Sequence, residues 1–536
     1  MRGWMVAIAT ALLASSSDGH AQAKETLSQR LKRLVEAVNV EDNPKVEFPG
    51  EGFQDLPPEA LPLLKEALKR KDLKWTARTC IAAGIRRIDE RAKKLDWAAE
   101  FEAQKKEVQR LVGEEFKRVG RRDPKWDKPA LEAVEAAVAA WSSYHRRRPE
   151  DGRRAREASQ AAIQAGCDDP LILYITARMM LDAQAGTPQE KVEAHEAAAK
   201  ALDSSPYHPM LRSRGHKMAA EILLFASGNR ATPEAKAKIL GELREALRLF
   251  GEALQADPAL LGETIVDHAK GILGVWGALE DRKNGFDPLH AAIKKARPKS
   301  ALPDLLAGLF QITYAWDARG SGWAKDVKPE AWELFRARLA EARTRLAAAW
   351  KIDPTDVRVP QAMMSVLLGG DAPRDEMELW FGRGMEVFPD SYALCLDKLY
   401  YLEPKWHGSP AEILQFGRQC ALTGNWEGSV PWTLLEAHKR LAQYGPGGWK
   451  PEPDYAYFEK PAAWEDVRSL YARYLKLHPD SAGHRVNYAF YAGHAKRWKE
   501  AKEQFDLLGE TPARLGAFDS QDDYARARAK AAEESK

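Results

Sequence analysis

The sequence predicts an all-α protein built of antiparallel helix hairpins, and three observations carry that prediction. Apolar residues return at three- and four-residue steps through stretches rich in Ala, Leu, Glu, Lys and Arg, which gathers them on one face of a helix. Residues 130–141 (ALEAVEAAVAAW), 235–254 and 333–350 are the plainest of about twenty such segments. Period-two alternation, the mark of a half-buried strand, is nearly absent. Finally, helix ends run repeatedly into proline turns, as a chain that doubles back on itself requires.

Those turns fall at Asp169-Pro170, Ser205-Pro206, Asp257-Pro258, Asp353-Pro354, Phe388-Pro389 and His478-Pro479. Proline fixes φ and lacks an amide proton, so it stops one helix and suits the first position of the next. Thr187-Pro188-Gln189-Glu190 adds a hydroxyl cap and a glutamate three residues on, the pattern of a capping box. Pro170 to Pro206 spans 36 residues and Pro354 to Pro389 spans 35, close to the period of about 34 of a helix-pair repeat. The longer intervals require insertions or decayed copies. In the last unit, YAFYAGHAKRWKEAKEQFDLL (488–508), Ala489 and Ala501 sit where two helices must approach. Trp498 and Phe505 sit where bulk must fill the gap to the next pair.

These turns and spacings resemble the tetratricopeptide-like helical repeat family, in degenerate copies over about residues 168–509. The resemblance implies an α-solenoid of stacked hairpins. Leu399 to Ser409 (LYYLEPKWHGS) is further similar to the proline-lysine-tryptophan-glycine-glycine-serine elbow of an uncharacterised bacterial family, a domain of unknown function built on these repeats. Here His407 replaces the expected glycine. That likeness covers residues 352–509 and implies a fold, not a reaction.

Taken along the chain, five segments follow. Residues 1–23 read as a secretory signal peptide: an early arginine, an apolar run from Trp4 to Ala14, and Ala21-Gln22-Ala23 as the cleavage site. The run is about half of the roughly 20 residues a spanning helix needs. The mature chain is thus expected in a periplasmic or secreted space with no membrane span. Residues 24–127 read as an N-terminal helical module or cap, since a terminal repeat otherwise exposes an apolar face. Its stretch 86–119 is one long helix or two joined near Asp96. Residues 128–351 read as degenerate repeats, 352–518 as the clearer repeats, and 519–536 as a charged helical tail. The insertion 444–460 (YGPGGWKPEPDYAYFEK) breaks the periodicity and reads as an aromatic plug against neighbouring helices, or as a contact surface.

The elbow accounts for itself residue by residue. Pro404 ends the helix carrying Tyr400 and Tyr401, Gly408 supplies a permissive backbone, and Ser409, Pro410 and Glu412 start the next helix. Trp406 pins the turn. Only His407 has no structural task, which leaves a binding role for Trp406 and His407 as the other reading.

The formal net charge of +3 is too small on 536 residues to point to nucleic acid as the partner. The basic run at 145–148 has no aromatic platform woven through it. Of four cysteines, Cys80 and Cys167 read as buried thiols. Cys395 and Cys420 lie equally far from the elbow, level across a hairpin, where a disulfide is an open possibility.

No complete catalytic signature is present. His195-Glu196 lacks the second histidine of a zinc-protease helix, and His484 and His494, ten residues apart, span about 15 Å and cannot share an ion. No metal, cofactor or catalytic residue is therefore expected. The reading that remains is an exported scaffold whose groove, through Asn487, Tyr491 and His494, recognises a peptide or protein. The competing readings are an envelope-associated hydrolase of glycan or peptide polymers, and a structural envelope component that self-associates. The oligomeric state stays open.

Overall fold

The computed structural model describes residues 25–536 apart from 94–95, 143–148, 183–184, 229–230, 323, 446–447, 511 and 513. The expected leader 1–23 and the basic run at 145–148 lie outside the described residues. The regular structure of the described residues is almost entirely α-helical, with helices packed in antiparallel hairpins against their sequence neighbours. Among the described residues the only strands are two short ones, Tyr444–Gly445 and Gly448–Trp449, paired as a small hairpin. The chain divides into two compact units: Asp89–Ile413, and Met1–Ile88 with Leu414–Lys536.

In the unit Asp89–Ile413, helices follow one another from Asp127–Ser142 to Tyr392–Tyr401. Each packs on the next in sequence, and several also on the next but one, such as Pro209–Ser227 on Gly262–Gly277 and Leu302–Arg319 on Arg358–Gly369. A helix with one apolar stripe buries it only against such neighbours, so the core runs on from hairpin to hairpin through Ile175, Leu211, Leu243, Phe250, Ile272 and Leu306. Two helices approach closely at Gly308, where a Cβ would lie 2.6 Å from Leu346 Cγ.

The proline turns are built as caps. Buried Asp169 accepts hydrogen bonds from the Leu171 and Ile172 amides (2.9 and 3.3 Å), from the Arg121 amide (2.8 Å) and from the Tyr207 hydroxyl (3.0 Å). One carboxylate thus satisfies the orphan amides of helix Pro170–Asp182 and ties it to two other segments. Burial nonetheless raises the Asp169 carboxyl above its usual pKa. Thr187 and Glu190 form the expected capping box at helix Pro188–Asp203. In the stretch 86–119 the described residues are the end of helix Trp75–Lys93, helix Asp96–Val108, a π-helical turn Gln109–Glu114 and Glu115–Val119; the junction expected near Asp96 falls next to residues outside the described ones.

One buried histidine gives this unit a pH dependence. Ser213 Oγ donates to the Ala246 carbonyl (2.6 Å) and so accepts from His268 Nε2, 2.7 Å from the hydroxyl oxygen. Burial, reinforced by Lys217 and Arg214, holds the imidazolium well below the usual 6.5. The unfolded chain therefore takes up a proton below about pH 6.5 that the folded chain refuses. Stability is fully present above that pH and is lost as pH falls, by up to about 1.4 kcal/mol per unit. Urea unfolding at pH 7 and pH 5 should show a shallower loss for His268→Gln than for wild type.

In the second unit, residues 25–88 fold onto residues 414–536. Helix Leu27–Val38 and the segment through Phe53, Leu56 and Leu64 share a core with Ile81 and Leu422. Backbone and side chains interlock: Asn43 Nδ2 donates to the Arg418 carbonyl (3.2 Å) and Gln54 Nε2 to the Gly424 carbonyl (2.7 Å). Glu51 accepts from Trp426 Nε1 (2.7 Å) and from Arg473 Nε (2.9 Å). The rest is the series Thr433–Ala442, Pro461–Leu477, Ala482–His494, Trp498–Leu508 and Gln521–Glu534. Ala489, Ala501 and Phe505 are buried where the last hairpin closes.

All four cysteines are free and buried, Cys395 and Cys420 included. Burial pushes the Cys167 thiol up to about 11. Among the described residues no helix is long and apolar enough to cross a membrane.

Candidate functional site

Asn487, Tyr491 and His494 share one face of helix Ala482–His494, as their spacing requires. That face is largely covered by the chain itself. Tyr491, expected in an open groove, is only 5% exposed. Its ring lies 4.9 Å from Phe458 and 6.2 Å from Tyr471, and burial raises its hydroxyl pKa. The cover comes from the insertion, whose last part forms a turn of 3-10 helix, Tyr455–Glu459, with Phe458 fully buried. This half of the insertion is the aromatic plug. Its first half is the small hairpin, whose Trp449 is 45% exposed.

Asn487 is half-buried beneath Gly516, and its Oδ1 has no hydrogen-bond partner. Gly516 has φ +57° and a Cβ there would lie 2.4 Å from that oxygen, so only glycine fits. His494 alone of the three is open to solvent. Tyr455 stacks on its ring (centroids 4.5 Å apart, 27°) and Phe490 lies at 4.4 Å. Partial burial by these rings lowers its pKa. What the helix presents is thus a histidine edge on an aromatic platform.

At the elbow, Gly408 is required by close approach: a Cβ would lie 2.3 Å from the Leu402 carbonyl oxygen. The Ser409 hydroxyl donates to Glu412 Oε2 (2.8 Å) and caps helix Pro410–Leu422 by accepting from the Glu412 amide. Trp406 lies edge-on to Tyr400 (5.8 Å) and Trp316 (6.2 Å). Its Nε1 is buried without a hydrogen-bond partner. His407 does have a structural task after all. Its ring stacks on Tyr401 (4.5 Å, 20°) and Nε2 lies 2.9 Å from the Leu368 carbonyl oxygen, tying the turn to the preceding hairpin.

One polar constellation escaped the sequence reading. His438 Nδ1 lies 2.9 Å from the Tyr457 hydroxyl and Nε2 lies 3.1 Å from Asp466 Oδ2, which also accepts from Arg418 Nε (3.0 Å). Burial and the Asp466 charge raise the Tyr457 hydroxyl pKa. Tyrosine, histidine and aspartate in line can relay a proton, with the Arg418 guanidinium a fixed charge beside Asp466. Yet His438 is 1% exposed, so no polymer chain reaches it in this conformation. The signal lay in Asp466 itself, a carboxylate on the apolar stripe of Ala463, Val467 and Leu470. Separately, in the unit Asp89–Ile413, Asp203, His216 and Glu245 place ligand atoms within 4.8 Å of one another.

No protein-family model matches the chain, and no curated protein matches it. Solved structures that match include a monomeric mutant of IFIT1 with Gppp-AAAA, 16% identical, over 89% of this chain and 98% of that chain, with a TM-score of 0.19. At that score the likeness does not bear on function.

Proposed function

We propose that the chain is an exported helical-repeat scaffold that works by binding a peptide or protein, and that it belongs with the uncharacterised bacterial family whose elbow it resembles. The observation that carries the binding reading is the packing order. Because helices pair with their sequence neighbours, each hairpin leaves its flank outside the core, and flanks in series present side chains to an extended partner. Phe225, 73% exposed, and Leu507, 68% exposed, are apolar side chains on such flanks. In the C-terminal unit the His494 edge and Trp449 supply aromatic contact area at low entropic cost. Export is supported by the apolar run and Ala21-Gln22-Ala23, and a protein or peptide rather than nucleic acid by the near-neutral charge.

Cross-linked affinity capture from the exported fraction, with the chain from Lys24 onward as bait, tests the reading. A defined protein retained by wild type and reduced at least tenfold by His494→Ala or Trp449→Ala is the expected result. Both side chains are exposed, so neither change empties the core, whereas Tyr491→Ala would. Failure to enrich any protein, together with hydrolysis of a cell-envelope glycan or peptide by the purified chain, would reverse it.

A further inference from the structure

We propose that Asp203, His216 and Glu245 form a binding site for one divalent transition-metal cation of the zinc class. The three residues come from consecutive helices: Asp203 ends Pro188–Asp203, His216 lies two turns into Pro209–Ser227, and Glu245 lies in Pro233–Ala256. One imidazole nitrogen and two carboxylate oxygens are a donor set that such cations take. The atoms lie within 4.8 Å of one another, against about 3.4 Å for the edge of a tetrahedron with 2.1 Å bonds.

The imidazole is already aimed. His216 Nδ1 lies 2.6 Å from Glu242 Oε2, the carboxylate–histidine arrangement that orients a ligating ring and raises its basicity. That contact leaves Nε2 for the Asp203 side, 3.5 Å from Asp203 Oδ1. His216 is 7% exposed and Nε2 has no hydrogen-bond partner; Asp203 Oδ1 stands 3.5 Å away, within ion-pair range but not in hydrogen-bond geometry. An unpartnered buried nitrogen facing two carboxylates is costly unless a cation or a proton fills the gap.

The local charge points the same way. Arg212 pairs with Asp203 (3.2 Å), and Arg248 pairs with Glu245 and Glu252. With His216 neutral, the carboxylates of Asp203, Glu242, Glu245 and Glu252 outnumber the two guanidiniums. Asp203 is moreover the last residue of its helix, beside the negative end of the helix dipole, where a cation is favoured and a bare carboxylate is not. Each carboxylate keeps lone pairs beyond those its arginine uses. The site is independent of the partner-binding reading.

The test is calorimetric titration of the chelator-stripped chain from Lys24 onward with ZnCl2, followed by Co2+ as a spectroscopic probe. One saturable site is expected, with a visible Co2+ band. His216→Ala should lower the zinc affinity at least 100-fold and abolish the band. Asp203→Asn, nearly isosteric, should weaken binding at least tenfold should His216→Ala fail to fold. Glu242→Gln, which only removes the orienting partner, should weaken it about 10–100-fold. His494→Ala in the other unit should leave it unchanged. Absence of saturable zinc binding, or binding indifferent to His216→Ala and Asp203→Asn, would mean that a proton on His216 fills the gap as a plain ion pair, and would overturn the proposal.

Discussion

Asp466→Ala should destabilise the unit containing residues 414–536 by about 3–5 kcal/mol, a large fraction of what holds any domain together. Asp466 is the common acceptor of His438 Nε2 and Arg418 Nε, and His438 also meets the Tyr457 hydroxyl. Removing it leaves a guanidinium and a buried imidazole facing each other without the charge that reconciled them. The cost is that of orphaned groups, not of a lost contact. The double change Asp466→Leu with Arg418→Met should therefore recover much of the loss, because a pair replaced whole by apolar groups leaves no stranded charge. Chemical unfolding followed by tryptophan fluorescence measures both. Equal losses for the single and double variants would show that packing at Asp466, not pairing, sets the cost.

The second large effect is expected from the smallest addition. In Gly50→Ala the new Cβ would lie 2.0 Å from the Thr423 carbonyl oxygen and 2.4 Å from its carbon, backbone atoms with no side-chain freedom to move aside. Gly424 on the facing segment, with φ +58°, would likewise place a Cβ 2.5 Å from Glu51 Cγ. The two backbones touch here because neither carries a side chain. Gly50→Ala should cost roughly 3 kcal/mol or more, at the upper end of overpacking effects. The loss should appear as release of residues 25–88 from residues 414–536, read by limited proteolysis near Gly50 under conditions where wild type is resistant. An unchanged digestion pattern would show that the segment seats without this contact.

Much of the architecture was legible because its causes are local. Asp-Pro and Thr-Pro turns cap helices through atoms two or three residues away, as at Asp169 and Thr187, so the sequence carries them directly. The same holds for Ser409 and Glu412 at the elbow. What could not be read depends on segments meeting that are far apart along the chain, from tens to hundreds of residues. Asn43 reaches a carbonyl 375 residues away, and nothing near position 43 announces it. His407 looked idle for the same reason, since its partner carbonyl lies 39 residues upstream. Tyr491 was read as open from its place on a polar stripe, and the insertion that covers it belongs to another stretch of chain. The Asp203, His216 and Glu245 group needs three helices to assemble and follows no ligand spacing within any one of them.

The claim on which the account rests is that each hairpin buries its apolar stripe against its sequence neighbours. Hydrogen exchange by mass spectrometry of Leu346→Ala tests it most directly. Leu346 is fully buried in helix Pro329–Ile352 beside Gly308, and its truncation should cost about 2–5 kcal/mol. Faster exchange should centre on Leu302–Arg319, Pro329–Ile352 and Arg358–Gly369 and fade along the chain toward Asp127–Ser142. A uniform acceleration across residues 89–413 would contradict it, because a core shared by all helices loosens everywhere at once.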